Sequence, residues 1–143
     1  MLGGLCIAHD HGVIAHSDGD VLLHALTDAL LGAAGLGDIG GLFPDTDARW
    51  ENAAGLDLLG GAMKRVRDAG WRVLNVDCTV LAERPKIAPH VDAMRANLAK
   101  ALGVEETCVN IKATTLEKMG FIGRGEGIAA LAVALLRKEG GDV

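Results

Sequence analysis

The sequence predicts a two-layer α/β (α+β) domain, and three observations predict it. A chain of 143 residues fits one domain and buries a core without disulfide staples. Half its residues are hydrophobic and 23% are charged, an ordinary globular balance. Segments with strand periodicity then alternate with segments of helical periodicity. Aromatic residues make up 3% of the chain and tyrosine is absent, so Ala, Val, Leu and Ile must build the core. No internal repeat, linker or low-complexity tract divides it.

The first element is a short apolar run, Leu2 to Ala8, with the character of a strand interrupted by glycine. Ser17 and Asp18 offer a helix start, and Val21, Leu22, Ala25, Leu26, Ala29 and Leu30 then recur at helical spacing. That helix stops between Gly32 and Gly37, and a loop covers Gly40 to Arg49. A second helix runs from about Ala54 to Asp68 and ends at Gly70. Trp71 to Leu81 reads as a strand. Pro85 and Pro89 bracket a loop, and Pro89 opens a helix that Gly103 closes. Val109 to Thr115 is another strand, followed by a turned segment holding Gly120, Gly123, Gly125 and Gly127. Ile128 to Lys138 is expected as a final helix, with a buried strand as the alternative.

Composition removes several functional classes. The formal net charge is −5 and the basic residues are scattered, which excludes a nucleic-acid stripe. No apolar run approaches the length of a membrane span, so no membrane partner is expected. Cys6, Cys78 and Cys108 are odd in number and far apart, which fits reduced thiols and a cytoplasmic location.

Several clusters can carry chemistry. On the first helix Asp20, His24 and Asp28 share one face, with His16 and Ser17 just ahead of it. A neutral imidazole suits zinc, although Asp18 and Asp20 can equally complement the helix dipole and His24 can be a satisfied core residue. Asp38-Ile39-Gly40 and Phe43-Pro44-Asp45-Thr46-Asp47 form an acidic loop suited to sugar hydroxyls, or simply an Asx-rich turn. Thr114, Thr115 and Glu117 close a strand, where two hydroxyls and a carboxylate can serve phosphate and a divalent cation. Ala82-Glu83-Arg84-Pro85-Lys86-Ile87-Ala88 is a rigid turn whose backbone can read a base edge. Gly123-Arg124-Gly125-Glu126-Gly127 can bring amides and a guanidinium to an anion, or pair Arg124 with Glu126. His9-Asp10-His11 is a compact trio without further ligands.

These motifs, in order, resemble the methylerythritol cyclodiphosphate synthases. His16-Ser17-Asp18-Gly19-Asp20, His24 through Gly32, Gly37 through Gly40, Phe43 through Asp47, Pro85-Lys86, Lys112 through Thr115, Glu117-Lys118 and Gly123 through Gly127 carry the likeness over nearly the whole chain. The resemblance implies a mixed four-stranded sheet packed on helices, over residues 1–143, assembling as a homotrimer with active sites between subunits. It implies a cytidine diphosphate substrate and two metals, Zn2+ and either Mg2+ or Mn2+. His24 matches a zinc ligand, and Glu117 matches the ligand of the second metal. His16 and Thr115 match residues that stabilise the transition state, with Ser17 beside the substrate. Asp38, with Ile39 and Gly40, matches the ribose contact, Phe43, Pro44, Asp45, Thr46 and Asp47 the substrate loop, and Ala82 to Ala88 the cytosine-reading segment. Thr114, Leu116, Phe121 and Arg124 also line the family's sites, and Leu116 stands where a third threonine is common. The family further carries an Asp-x-His pair on a strand ahead of Gly3, and no such pair precedes the first helix here. The domain is therefore expected to lack that strand and to offer one zinc ligand of the set. The alternative expectation is a catalytically impaired trimer that binds cytidine nucleotide or isoprenoid phosphate.

Overall fold

Asp20 starts the first long helix of the computed structural model, which describes residues 1–140. Its backbone is extended and its carboxylate accepts the N–H of Leu23, so helix α1 (Val21–Ala33) begins on a side-chain cap. Along α1 the residues Leu22, Leu23, Leu26, Leu30 and Leu31 are fully buried. The expected stop falls where Gly35 and Gly37 adopt positive φ. The 40–49 loop contains a short helix α2 (Ile39–Leu42) and a single 3-10 turn, Ala48–Trp50. Helix α3 (Gly55–Asp68) and strand β1 (Trp71–Leu81) follow as expected. Pro89 lies in a 3-10 turn that leads into α4 (Val91–Leu102), which Gly103 closes in the left-handed conformation. Strand β2 (Val109–Thr114), the four-residue helix α5 (Gly120–Gly123) and strand β3 (Ala129–Lys138) complete the described residues.

β1 is the centre of a mixed sheet ordered β2-β1-β3, parallel to β2 and antiparallel to β3. Helices α1, α3 and α4 pack on one face, where Val76, Cys78 and Val80 of β1 meet Met63, Met94 and Leu98 in one core. Each such side chain contributes roughly 1.5–3 kcal/mol by leaving water. The opposite face is uncovered in the single chain, with Leu131, Val133 and Leu135 exposed.

Two expectations are corrected. Among the described residues the sheet has three strands, not four, because Leu2 to Ala8 makes a tight turn with one Leu2–Leu5 bridge. Gly3 and Gly4 carry φ of 57° and 74°, which bends the chain back on itself. Residues 129–138 form a strand, the alternative reading, and not the expected helix. Residues 141–143, the end of the expected 1–143 domain, lie outside the described residues.

The register places Thr114 and Ala129 beside Leu81 at one end of the sheet. Segments 82–88, 114–117 and 125–128 therefore leave the sheet together.

Candidate active site

The carboxylates near α1 are taken up by backbone. Asp20 is fully buried and accepts N–H groups from Gly3 and Gly4 at 3.0 and 2.8 Å in addition to Leu23. Asp18 accepts the N–H of Asp20 at 3.1 Å and that of Gly55 at 2.8 Å, supplying α3 with an acceptor its own sequence lacks. Asp28 accepts the Ile39 N–H at 2.8 Å and so fixes α2 against α1. The face shared by Asp20, His24 and Asp28 is thus no ligand set. Among the described residues no group of three or more His, Cys, Asp or Glu side chains comes together to hold a metal ion.

What remains is a cavity of about 150 Å³ at the start of α1. Seven predicted site residues line it: His16, Ser17, His24, Ile39, Gly40, Phe43 and Asp45. His24 is half-buried and its Nε2 lies 3.1 Å from Ser17 Oγ, a contact that orients the ring. Asp38 caps α2 by accepting the Gly41 N–H at 2.7 Å, with one oxygen left to an outside partner. Pro44, Thr46 and Asp47 do not line the cavity. Asp47 instead grips Arg49 through both carboxylate oxygens, the shortest contact, from Nη2 to Oδ2, being 2.6 Å. That hydrogen bonding, with the Arg49 backbone N–H in addition, holds the Asp47 carboxyl below the usual range.

The remaining predicted residues gather where Leu81, Thr114 and Ala129 meet at one end of the sheet. Thr115 Oγ1 donates to Glu117 Oε1 at 3.0 Å, and Thr114 Oγ1 donates to the Thr115 carbonyl. Glu117 and Lys118 both sit at positive φ, 50° and 63°, a conformation that side chains rarely adopt. Gly123 permits it, since a Cβ there would stand 2.3 Å from the Lys118 carbonyl carbon. The 82–88 segment joins this group because the Ala82 N–H donates to the Thr114 carbonyl at 3.0 Å. Ala82 and Ile87 are buried in the core, so only their backbones can meet a ligand, whereas Arg84, Lys86 and Ala88 are exposed. Leu116 is half-buried, and Phe121 is exposed beside Gly127. Arg124 is paired with Glu126 at 2.8 and 3.0 Å, which lowers the acid and raises the base. His9 and His11, with ring centroids 6.0 Å apart, flank a second cavity near Arg84 and Glu126.

One chain therefore carries two separate groups. Thr114, Thr115 and Glu117 do not line the cavity that His16, Ser17 and His24 share. Sequence reasoning missed Ala15, Trp50 and Leu58, which also line it. Trp50 could have been found from the scarcity of aromatics, being one of two tryptophans and three residues after Asp47.

Comparison with known proteins gives four concordant results. The sequence model of the YgbB family matches residues 1–137. A 2-C-methyl-D-erythritol 2,4-cyclodiphosphate synthase of Marinobacter nauticus is 60% identical over 136 residues, 95% of this chain and 86% of that one. Among solved structures, the bifunctional IspDF of Campylobacter jejuni superimposes with a TM-score of 0.92 at 50% identity, covering 96% of this chain and 37% of that chain. A CDP-bound 2C-methyl-D-erythritol-2,4-cyclodiphosphate synthase gives 0.88 at 39% identity, covering 96% and 89%.

Proposed function

The chain belongs to the YgbB family, and from that membership we propose how its residues share one reaction. It is a cyclase of isoprenoid biosynthesis, converting 4-diphosphocytidyl-2-C-methyl-D-erythritol 2-phosphate to the 2,4-cyclodiphosphate with release of CMP. An oxygen of the 2-phosphate attacks the β-phosphorus, the bond from that phosphorus to the bridging oxygen breaks, and CMP leaves with the electron pair. Such a transfer asks a protein mainly for positioning and charge stabilisation.

The observation that carries the assignment of roles is the cavity joining His16, Ser17, His24 and Asp45. There His16 meets negative charge developing on the transferred phosphoryl group, and Ser17 keeps the His24 ring in place. Asp45 accepts from substrate hydroxyls, and the free oxygen of Asp38 accepts from the ribose. Residues 82–88 read the cytosine through backbone groups, and Thr115, with Thr114, donates to the diphosphate. Within one chain the donors do not fit a zinc site, because no three ligating side chains gather around His24 among the described residues, where a catalytic zinc takes about three protein ligands. Glu117 is likewise a single carboxylate for the second cation.

The two groups of residues complete one site across neighbouring copies in a homotrimer. The uncovered apolar stripe Leu131, Val133 and Leu135 supports this arrangement, since monomers seldom leave such a stripe in water. The relatives, named as synthases, do not support the alternative of a silent binder. No helix among the described residues is long and apolar enough to cross a membrane.

Complementation tests the proposal. His16→Ala and Thr115→Ala are each expected to lower kcat for CMP release by about 10²–10³-fold. Random mixed trimers of the two restore roughly a quarter of the sites if each site draws on two copies. Mixtures as inactive as either parent would place both groups in one subunit's site.

A further inference from the structure

We infer that Trp50 is a positioning and specificity residue of this cavity, its indole N–H donating to an oxygen of the substrate's branched tetrol while its ring holds the 43–47 segment in place. The inference rests on the proposed function and adds a residue to the same site. Trp50 lines the cavity beside Ile39, Phe43 and Leu58. Its Nε1 is buried and finds no acceptor among the described residues. Buried donors are nearly always paired, so an orphan at a ligand cavity is matched by what enters it. The indole also belongs to a connected set of contacts. Its ring meets Phe43 edge-on, with centroids 4.9 Å apart and planes at 77°. The Arg49 guanidinium that Asp47 grips lies 5.6 Å from the Trp50 ring centroid. The Trp50 N–H of the backbone donates to the Asp47 carbonyl at 3.0 Å, and two residues on Asn52 donates to the His16 carbonyl at 2.8 Å.

The chemistry selects the tetrol over the rest of the substrate. A wall of Ile39, Phe43 and Leu58 suits a methyl branch, and a single neutral donor beside it suits a hydroxyl oxygen. Phosphates would call for charge, and the cytosine-reading segment lies at the other group of residues.

Trp50 reports on itself, because the chain has two tryptophans and Trp71 lies at the start of β1. In a Trp71→Phe protein, the cyclic product is expected to shift or quench Trp50 emission, and CDP, which carries no tetrol, to leave it unmoved. Trp50→Phe keeps a ring against Phe43 but has no N–H; it should raise KM roughly tenfold with kcat within about twofold. Trp50→Ala should lower kcat as well, since the segment then loses its anchor. The inference is overturned if Trp50→Phe has the wild-type KM and the emission stays unmoved by product that calorimetry shows to be bound. Absence of CMP release by the wild-type protein would instead overturn the proposed function. Product binding is read without turnover, so the two failures are distinct.

Discussion

Asp20 gathers three backbone N–H groups on one buried carboxylate, joining the Gly3-Gly4 turn to the first turn of α1. Removing it strands buried donors and a cap together, so Asp20→Ala is expected to cost about 2–4 kcal/mol in chemical denaturation. The motif around it was legible in the sequence, but its division of labour was not. Asp18, Asp20 and Asp28 have the same chemistry as metal ligands, and only the approach of Gly55, Gly3 and Ile39 from elsewhere reveals them as backbone acceptors. Thiols separate in the same way. Burial, and then the nearby Asp77 charge, push the Cys78 thiol up to about 12, whereas Cys6 is exposed. An acid raised in the folded state keeps its proton where the unfolded thiol loses it. Its stabilising contribution is therefore whole below the ordinary thiol range and is lost as pH rises toward about 12. At pH 8 iodoacetamide should modify Cys6 in the native protein and reach Cys78 only after denaturation, as peptide mass mapping would show.

Strand β3 shows why one element is ambiguous in the sequence. Counting Ala with Leu and Val makes residues 129–136 a continuous apolar run, which fits a helix as well as a strand. Size carries the period that hydrophobicity hides. Ala130, Ala132 and Ala134 turn toward the core and let α1 approach, while Leu131, Val133 and Leu135 point away. Ala132→Leu should thus overpack the contact with α1 and destabilise the fold by about 1–3 kcal/mol, read from the denaturation midpoint. The long helices and β1 were legible because their periods and end signals agree over ten or more residues. Residues 2–8 lacked that redundancy: two left-handed glycines made a turn of a seven-residue run.

At the scale of the molecule the sheet has one face in the core and one apolar stripe in the open. Val133→Lys leaves the core untouched and charges that stripe, so it should keep the circular dichroism of the wild type. In sedimentation velocity it should run as a monomer, and it should lose CMP release because each site then lacks its second half; a trimeric Val133→Lys protein would show that this face is not the contact. The grouping of residues by cavity and by sheet end could not be read along the chain, because it depends on α1 lying across β3 and on β1 ending beside Thr114. Asp18 has a last consequence at this scale. Its carboxylate on Gly55 and its own N–H on the Ala53 carbonyl fasten the beginning and the end of the 19–54 excursion at one point. A protease that cut the exposed bond between Asp45 and Thr46 would sever the polypeptide without releasing either stump, and the two fragments would travel as one particle until denaturant parted them.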